Sequence, residues 1–277
     1  MAQRKNVVLL FTKLPMAGQV KTRLTTPEGG ALSPKAAATL YHCMLLDVVS
    51  AILLGIDDLK EATLGEEGLD CVGSQNARHD TYELVISTTP ASHVTPMREM
   101  LAKAGLQSRD IKVIADDGKD FAAHYDHATK QCFDLGAQCV LSMRGDLPAL
   151  TKADVKHGFE QLHALDGASN GGIVLAPNHR CGVSIAGWTS QTRFFHSEVF
   201  SNRTAHGVLS AYICVAAARD LPVLLLPPVP DIDSMDDLRH SVALVQALNY
   251  SAKFCDECKP WRTAVALYHM GIHNILV

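Results

Sequence analysis

The chain reads as a doubly wound α/β domain with a mostly parallel sheet in three α/β/α layers, and two features of the sequence predict it. The first is a series of short apolar runs rich in Val, Ile and Leu: VVLLF at 7–11, YELVIS at 82–87, IKVIA at 111–115, QCVLSM at 138–143, GIVLA at 172–176, GVSIAG at 182–187 and PVLLLP at 222–227. Continuous rather than alternating apolar character means burial on both faces, as a parallel sheet covered by helices requires. The second is the helical period of the segments between them, at 33–53, 93–105, 119–136, 151–165 and 204–220. Strand and helix therefore alternate along the chain, the order of a doubly wound domain.

Taken in order, the run at 7–11 predicts a buried first strand; it is too short for a signal-peptide core and no small-residue cleavage pattern follows it. Helix starts are marked by Ser33 before Pro34, by Thr151 with Asp154 three residues on, and by Ser234 ahead of Met235 and Asp236. Residues 55–80 are polar, acidic and Gly-containing, and predict a surface insertion between the first helix and the second strand. The α/β pattern ends near residue 248, which makes 1–248 one domain. Residues 249–277 read as a helical extension packed on that domain or on a partner subunit, the latter giving a homodimer.

Composition narrows the partners. A formal net charge of −4 argues against nucleic acid or an anionic membrane as a bulk electrostatic partner, so any anion site has to be local. No stretch approaches the roughly 20 apolar residues of a membrane span, and the expectation is a cytoplasmic protein. Six of the eight cysteines (Cys43, Cys71, Cys132, Cys139, Cys181, Cys214) are scattered through apolar or helical patterns and read as buried thiols. Cys255 and Cys258 have metal-ligand spacing, and His269 and His273 would complete a Cys2His2 set. With no second C-x-x-C, an ordinary pair of thiols is the preferred reading.

The local anion site is expected directly after the first strand. Thr12 to Leu24 reads TKLPMAGQVKTRL and places Lys13, Lys21 and Arg23 around a Pro/Gly turn at the carboxyl end of a strand, where α/β sheets bind ligands. Pro15 and Gly18 let the backbone fold back and expose N–H groups, and Lys and Arg neutralise phosphate oxygens. The loop is neither G-x-x-x-x-G-K-[ST] nor G-x-G-x-x-G. Two acidic elements follow later strands. Arg144-Gly145-Asp146-Leu147-Pro148 leaves Asp146 at a strand end, where a carboxylate can hold Mg2+ or Mn2+ against phosphate. In Asp231-Ile232-Asp233 an extended backbone points both carboxylates the same way, so both can address one ion. Asp236 and Asp237 fall in the first turn of the next helix, where capping accounts for them.

These residues carry a resemblance. FTKLPMAGQVKTRL resembles the opening F-x-K-x-P-x-x-G-x-V-K-T-R-L of a bacterial family of GT-A-like transferases, the nucleotide-diphospho-sugar transferase-like or radical-SAM/selenodomain-associated transferases. Its spacing is also similar to 2-phospholactate guanylyltransferase and, more distantly, to molybdenum-cofactor guanylyltransferase. Gly145-Asp146-Leu147-Pro148-Ala149-Leu150 is similar to the family's G-x-D-x-P-x-L, and Asp231 to Leu238 to its D-x-D-[ST]-x-x-D-L. The resemblance covers roughly residues 6–245. It implies a GT-A fold, phosphate contacts from Lys13, Lys21, Thr22 and Arg23, Asp146 as the main metal ligand, and Asp231 or Asp233 as the second. The family's P-x-x-D-G-G-Y segment is replaced by Pro177-Asn178-His179-Arg180-Cys181-Gly182-Val183, which implies an anionic acceptor facing His179 and Arg180.

Three functions fit. The first is metal-dependent nucleotidyl transfer from a nucleoside triphosphate to a small anionic acceptor, because three cations suit a departing pyrophosphate and catalysis would rest on Lys21, Arg23 and Asp146. The second is glycosyl transfer from a nucleotide-diphospho-sugar, which the resemblance implies; Arg144 standing where such enzymes carry the first Asp of D-x-D favours the first reading over it. The third is a non-catalytic nucleotide-binding protein whose acidic elements are only caps.

Overall fold

The computed structural model of the chain describes residues 4–65, 80–107, 111–165, 167–168, 170–192, 194–202, 205–255 and 259–272. Seven strands, β1 (Lys5–Phe11), β2 (Thr81–Thr88), β3 (Ile111–Ala115), β4 (Cys139–Arg144), β5 (Ile173–Pro177), β6 (Val183–Thr189) and β7 (Val223–Leu225), form one sheet in the order β3-β2-β1-β4-β6-β5-β7. Every pairing is parallel except those of β6 with β4 and β5. The reason is the short connection 178–182, which leaves no room for a crossover helix and turns the chain back as a hairpin. Asn178 shapes that turn: its Oδ1 accepts from the backbone N–H of Arg180 (2.9 Å) and of Gly182 (2.7 Å).

Eight helices are described: α1 (Pro34–Gly65), α2 (Val94–Lys103), α3 (Phe121–Asp134), α4 (Lys152–Leu165), α5 (His196–Phe200), α6 (Val208–Ala218), α7 (Met235–Ser251) and α8 (Trp261–His269). Alternate residues of β1 feed two cores. Val8 and Leu10 pack with α1, α2 and α4 on one face, and Val7 and Leu9 with α3, α5 and α6 on the other. This is a doubly wound α/β fold with a mostly parallel sheet between two helical layers. Its middle layer is buried on both sides, which is why the strands lack polar alternation.

Three sequence expectations change: of the thiols read as buried, Cys132 and Cys139 are, Cys43 is partly so, Cys181 and Cys214 are exposed, and Cys71 lies outside the described residues. α1 continues through Gly65, so the polar stretch from residue 55 is helical up to that point; residues 66–79 lie outside the described residues. α1 also contains an 18-residue window of mean hydropathy 1.8, long and apolar enough to match a membrane span by length and composition. Two-thirds of that window is buried inside the fold, and packing against the sheet, α4 and α8 accounts for its apolarity. At the C-terminus α8 lies on α1, where the backbone N–H and hydroxyl of Thr263 donate to buried Asp47 at 2.7 and 2.8 Å. Cys255 is an exposed free thiol, while Cys258 and His273 lie outside the described residues.

Candidate active site

A cleft of about 720 Å3 opens at the carboxyl ends of β1 and β4, a size that suits a nucleotide-sized ligand. Its first wall is the loop after β1. Gln19 N–H donates to Met16 O at 3.0 Å, closing a turn in which Gly18 takes φ +77°, the left-handed conformation that glycine adopts without penalty. Lys21 also sits in the left-handed region, at φ 50° and ψ 37°. That conformation costs a side-chain-bearing residue about 1–2 kcal/mol, so the surroundings must hold it. They do: the Lys21 ammonium, only 7% exposed, donates to Asp146 and, at 2.8 Å, to Asp233 Oδ1.

Arg144 completes the cluster. Its Nε and NH2 reach Asp146 at 3.1 and 2.8 Å, NH2 reaches Asp233 at 3.0 Å, and NH1 reaches Asp231 at 3.1 Å. The segment carrying Asp231 and Asp233 is stitched to the end of β4 by Ile232 N–H donating to Asp146 O at 3.2 Å. Gly145 is required at this junction, since a Cβ there would lie 2.8 Å from Thr12 Oγ1 and 2.9 Å from Leu45 Cδ1.

Burial and charge pull the pKa values apart. Burial alone would raise the Asp146 and Asp233 carboxyls, yet the adjacent Lys21 and Arg144 more than reverse this and hold both below the usual carboxylate range. Burial would lower Lys21, and Asp146 and Asp233 override it, so Lys21 stays protonated. Asp231 goes the other way: burial raises it despite Arg144.

The predicted residues divide into three groups. Lys21, Asp146 and Asp233 meet in the cleft, with Lys13 and Arg23 exposed on its lining and making no ion pair among the described residues. Pro15, Gly18 and Thr22 shape the loop without lining the cleft. Asp231, 2% exposed, also stays off the lining and accepts from Asn178 Nδ2 at 3.0 and 3.1 Å. His179 and Arg180, expected to face an acceptor, are instead bound to buried Asp237 at 2.7 and 2.8 Å, and Arg180 also donates to Ser234 at 2.8 Å. Asp237 in turn closes the capping box of α7 with Ser234. Asp236 pairs with Arg239 on the surface.

The donor chemistry of Asp146, Asp231 and Asp233 suits a divalent ion, but each of these carboxylates already accepts from Arg144 and two of them from Lys21. Among the described residues no group of three or more His, Cys, Asp or Glu stands arranged to hold a metal by itself. An ion fits this set only in exchange for the two cations.

Sequence reasoning missed the opposite wall. It is made by Phe11, by Phe121, His124 and Tyr125 of α3, by Phe200 of α5, and by Val208 and Tyr212 of α6. Asp116, just past β3, is buried there with one oxygen accepting from Ser87 Oγ and the other paired with His124 Nδ1, both at 2.7 Å.

A family profile described as an uncharacterized protein conserved in bacteria (DUF2064) matches residues 74–204. No curated protein matches the chain. Among solved structures, a protein from Desulfovibrio desulfuricans G20 described as a nucleotide-diphospho-sugar transferase matches with TM-score 0.66 at 21% identity, over 96% of this chain and 95% of that one. A cytidylyltransferase from Leptospira borgpetersenii serovar Hardjo-bovis matches with TM-score 0.46 at 11% identity, over 100% and 99%. A 4-diphosphocytidyl-2C-methyl-D-erythritol synthase from Anaerococcus prevotii DSM 20548 matches with TM-score 0.46 at 10% identity, over 88% and 96%. What the first of these shares with the chain is its fold.

Proposed function

We propose that this chain is a transferase that grips a nucleotide donor by its phosphates and passes a group to a small-molecule acceptor. One observation carries the reading: Lys21 from the loop after β1 and Arg144 from the end of β4 meet Asp146 and Asp233 within a single cleft. Lys13 and Arg23 lie on the lining of that cleft as exposed cations, free to take phosphate oxygens. As the leaving phosphates gain charge, fixed cations stabilise them more than they stabilise the bound donor, and that difference is what accelerates transfer.

A divalent ion, Mg2+ or Mn2+, belongs to this proposal with Asp146, Asp231 and Asp233 as its ligands, and when bound it would neutralise charge on the leaving phosphates. Because Lys21 and Arg144 fill that carboxylate set, an ion would enter it only with the donor, whose phosphates would give the two cations other partners and leave carboxylate oxygens to the ion.

Between the two transfers, we favour glycosyl transfer from a nucleotide-diphospho-sugar. The two residues that would have recognised an anionic acceptor, His179 and Arg180, are committed to Asp237. Nucleotidyl transfer is the second reading, favoured by Arg144 standing on the carboxylates beside Lys21, where it would meet a pyrophosphate. Thermal-shift measurements against nucleotide sugars and nucleoside triphosphates, each with and without Mg2+ or Mn2+, separate them. Stabilisation by a nucleotide sugar that grows with metal, with no shift from metal alone, is the expected result. Stabilisation by triphosphates alone selects the second reading, and no shift with any donor removes both.

A further inference from the structure

We propose that the face of α3 bearing Phe121, His124 and Tyr125 is the acceptor side of the cleft, that His124 is the general base, and that the acceptor is an uncharged alcohol with a flat apolar part. The inference rests on the transferase reading above and deepens it.

The three residues stand at i, i+3 and i+4, so one helical face presents them together, and all three line the cleft that holds Lys21, Arg144 and Asp146. Asp120 caps the helix by accepting from Ala123 N–H at 2.9 Å. Gly118 allows the preceding loop to lie against the first turn, since a Cβ there would sit 2.4 Å from His124 N. That close approach brings Asp116 under His124.

The Asp116 carboxylate is held by Ser87 on one oxygen and by the imidazole on the other. Ser87 is fully buried and donates to Asp116, so it is not itself a nucleophile. A carboxylate accepts the Nδ1–H and so leaves the Nε2 lone pair of a ring that is 23% exposed available for a proton. Asp116 is therefore a positioning residue. The charged and titratable groups that share the cleft lining with the ring are Asp116 itself, Asp120 at the cap, Tyr125 beside it, and Lys13, Lys21, Arg23, Tyr41, Arg144, Asp146 and Asp233 elsewhere; His127, one turn along, is occupied by the backbone N–H of Asp117 at 2.8 Å.

The rest of this wall says what the acceptor looks like. The lining cations Lys13, Lys21, Arg23 and Arg144 all come from the loop after β1 and the end of β4, and α3, α5, α6 and β6 contribute no Lys or Arg to it. Asp116 and Asp120 add negative charge on the α3 side, which disfavours an anion. Phe121 is 58% exposed yet set in an aromatic group, with Phe11 and Phe200 edge-on to it at 5.6 and 5.0 Å. Phe200 is fixed there because Asp126 on α3 accepts from both the backbone N–H and Nδ1 of His196 at the start of α5, each at 2.8 Å.

In the step this assembles, the acceptor oxygen forms a bond to the sugar's anomeric carbon while that carbon's bond to the β-phosphate oxygen breaks. The electron pair leaves on the nucleoside diphosphate, and the hydroxyl proton passes to His124 Nε2 and then to water.

The test takes the nucleotide sugar that gives the largest thermal shift and follows nucleoside diphosphate release with 2-phenylethanol, glycerol or 3-phosphoglycerate as acceptor probe. We expect 2-phenylethanol to be the best of the three. His124→Ala should lose about 100-fold or more in kcat with an unchanged donor thermal shift. Phe121→Ala should raise the KM for 2-phenylethanol about tenfold with kcat retained, and Asp116→Asn should show the opposite split, lowering kcat about tenfold with that KM retained. Wild-type turnover in His124→Ala, a preference for 3-phosphoglycerate, or neither turnover nor added stabilisation with 2-phenylethanol overturns the inference while donor binding stands. Loss of donor binding in the unmodified protein would instead sink the transferase reading.

Discussion

At one end of the cleft Lys21 bonds partners 125 and 212 residues away, whereas at the other Phe121, His124 and Tyr125 lie within five consecutive residues of one helix. The first end exists only when the sheet is assembled, because its charges come from the loop after β1, the end of β4 and the segment after β7, and Lys21 and Asp146, both buried, would be costly without the others. At the second end Tyr125 belongs to the core, but Phe121 and His124 are helix surface that the core does not need. Phe121 is largely exposed and His124 partly so, and their geometry comes from a cap, a close-fitting glycine and one carboxylate. The phosphate end thus couples ligand binding to folding, and the acceptor end can change with little effect on stability.

The largest effect should follow from breaking that coupling. Lys21→Met leaves Asp146 buried with Arg144 as its remaining cation, and we expect a loss of about 3 kcal/mol of stability together with the donor-induced thermal shift. Phe121→Ala, at the other end, should cost less than about 1 kcal/mol. Differential scanning calorimetry of the two variants measures the contrast directly; equal losses would show that the two ends are not built differently.

An intermediate effect separates two carboxylates of the same segment by pH. Asp233 has a depressed pKa in the fold, so its contribution is fully present above the unfolded carboxylate value near 4 and is lost as the pH falls through the folded value. Asp231 is raised, so ionising it at neutral pH works against the fold. Asp233→Asn is expected to cost about 1–3 kcal/mol at pH 7 and to keep most of that cost at pH 3, which still lies above the folded value. Asp231→Asn should stay within about 1 kcal/mol of wild type at pH 7. Urea midpoints at the two pH values test both signs.

The two ends were not equally legible in the sequence. Lys13, Lys21, Arg23, Asp146, Asp231 and Asp233 stand out because charges and turn residues interrupt apolar runs where strands end. The same signal marks Asp116, directly after IKVIA, but a lone carboxylate there has no visible partner until α3 is folded back. Phe121, Tyr125, Ala128 and Cys132 follow the spacing of an ordinary core stripe, and all but the first are buried as such. What distinguishes Phe121 is place: the first turn of a helix that follows a strand lies at the ligand edge of the sheet, beyond the core. Strand direction was hidden for another reason, since periodicity carries no sense of direction and only the short connection 178–182 tells that β6 runs antiparallel. The polar composition of the stretch from residue 55 likewise masked a continuing helix, because α1 still buries Ile56 and Leu59.

The smallest expected effect is the sharpest check on the acceptor. Arg180 is half-exposed and bonds buried Asp237 and Ser234 at the start of α7; Asp237 keeps His179 and Ser234 when Arg180 is removed, so Arg180→Ala should cost only about 1 kcal/mol. Because the guanidinium is committed to that cap and stays off the cleft lining, steady-state kinetics should show kcat and acceptor KM unchanged within about twofold. An increase of tenfold or more in KM for an anionic acceptor would mean that Arg180 leaves Asp237 when substrate arrives. The acceptor would then be drawn toward the hairpin 178–182 instead of α3, and the two ends of the cleft would both be electrostatic.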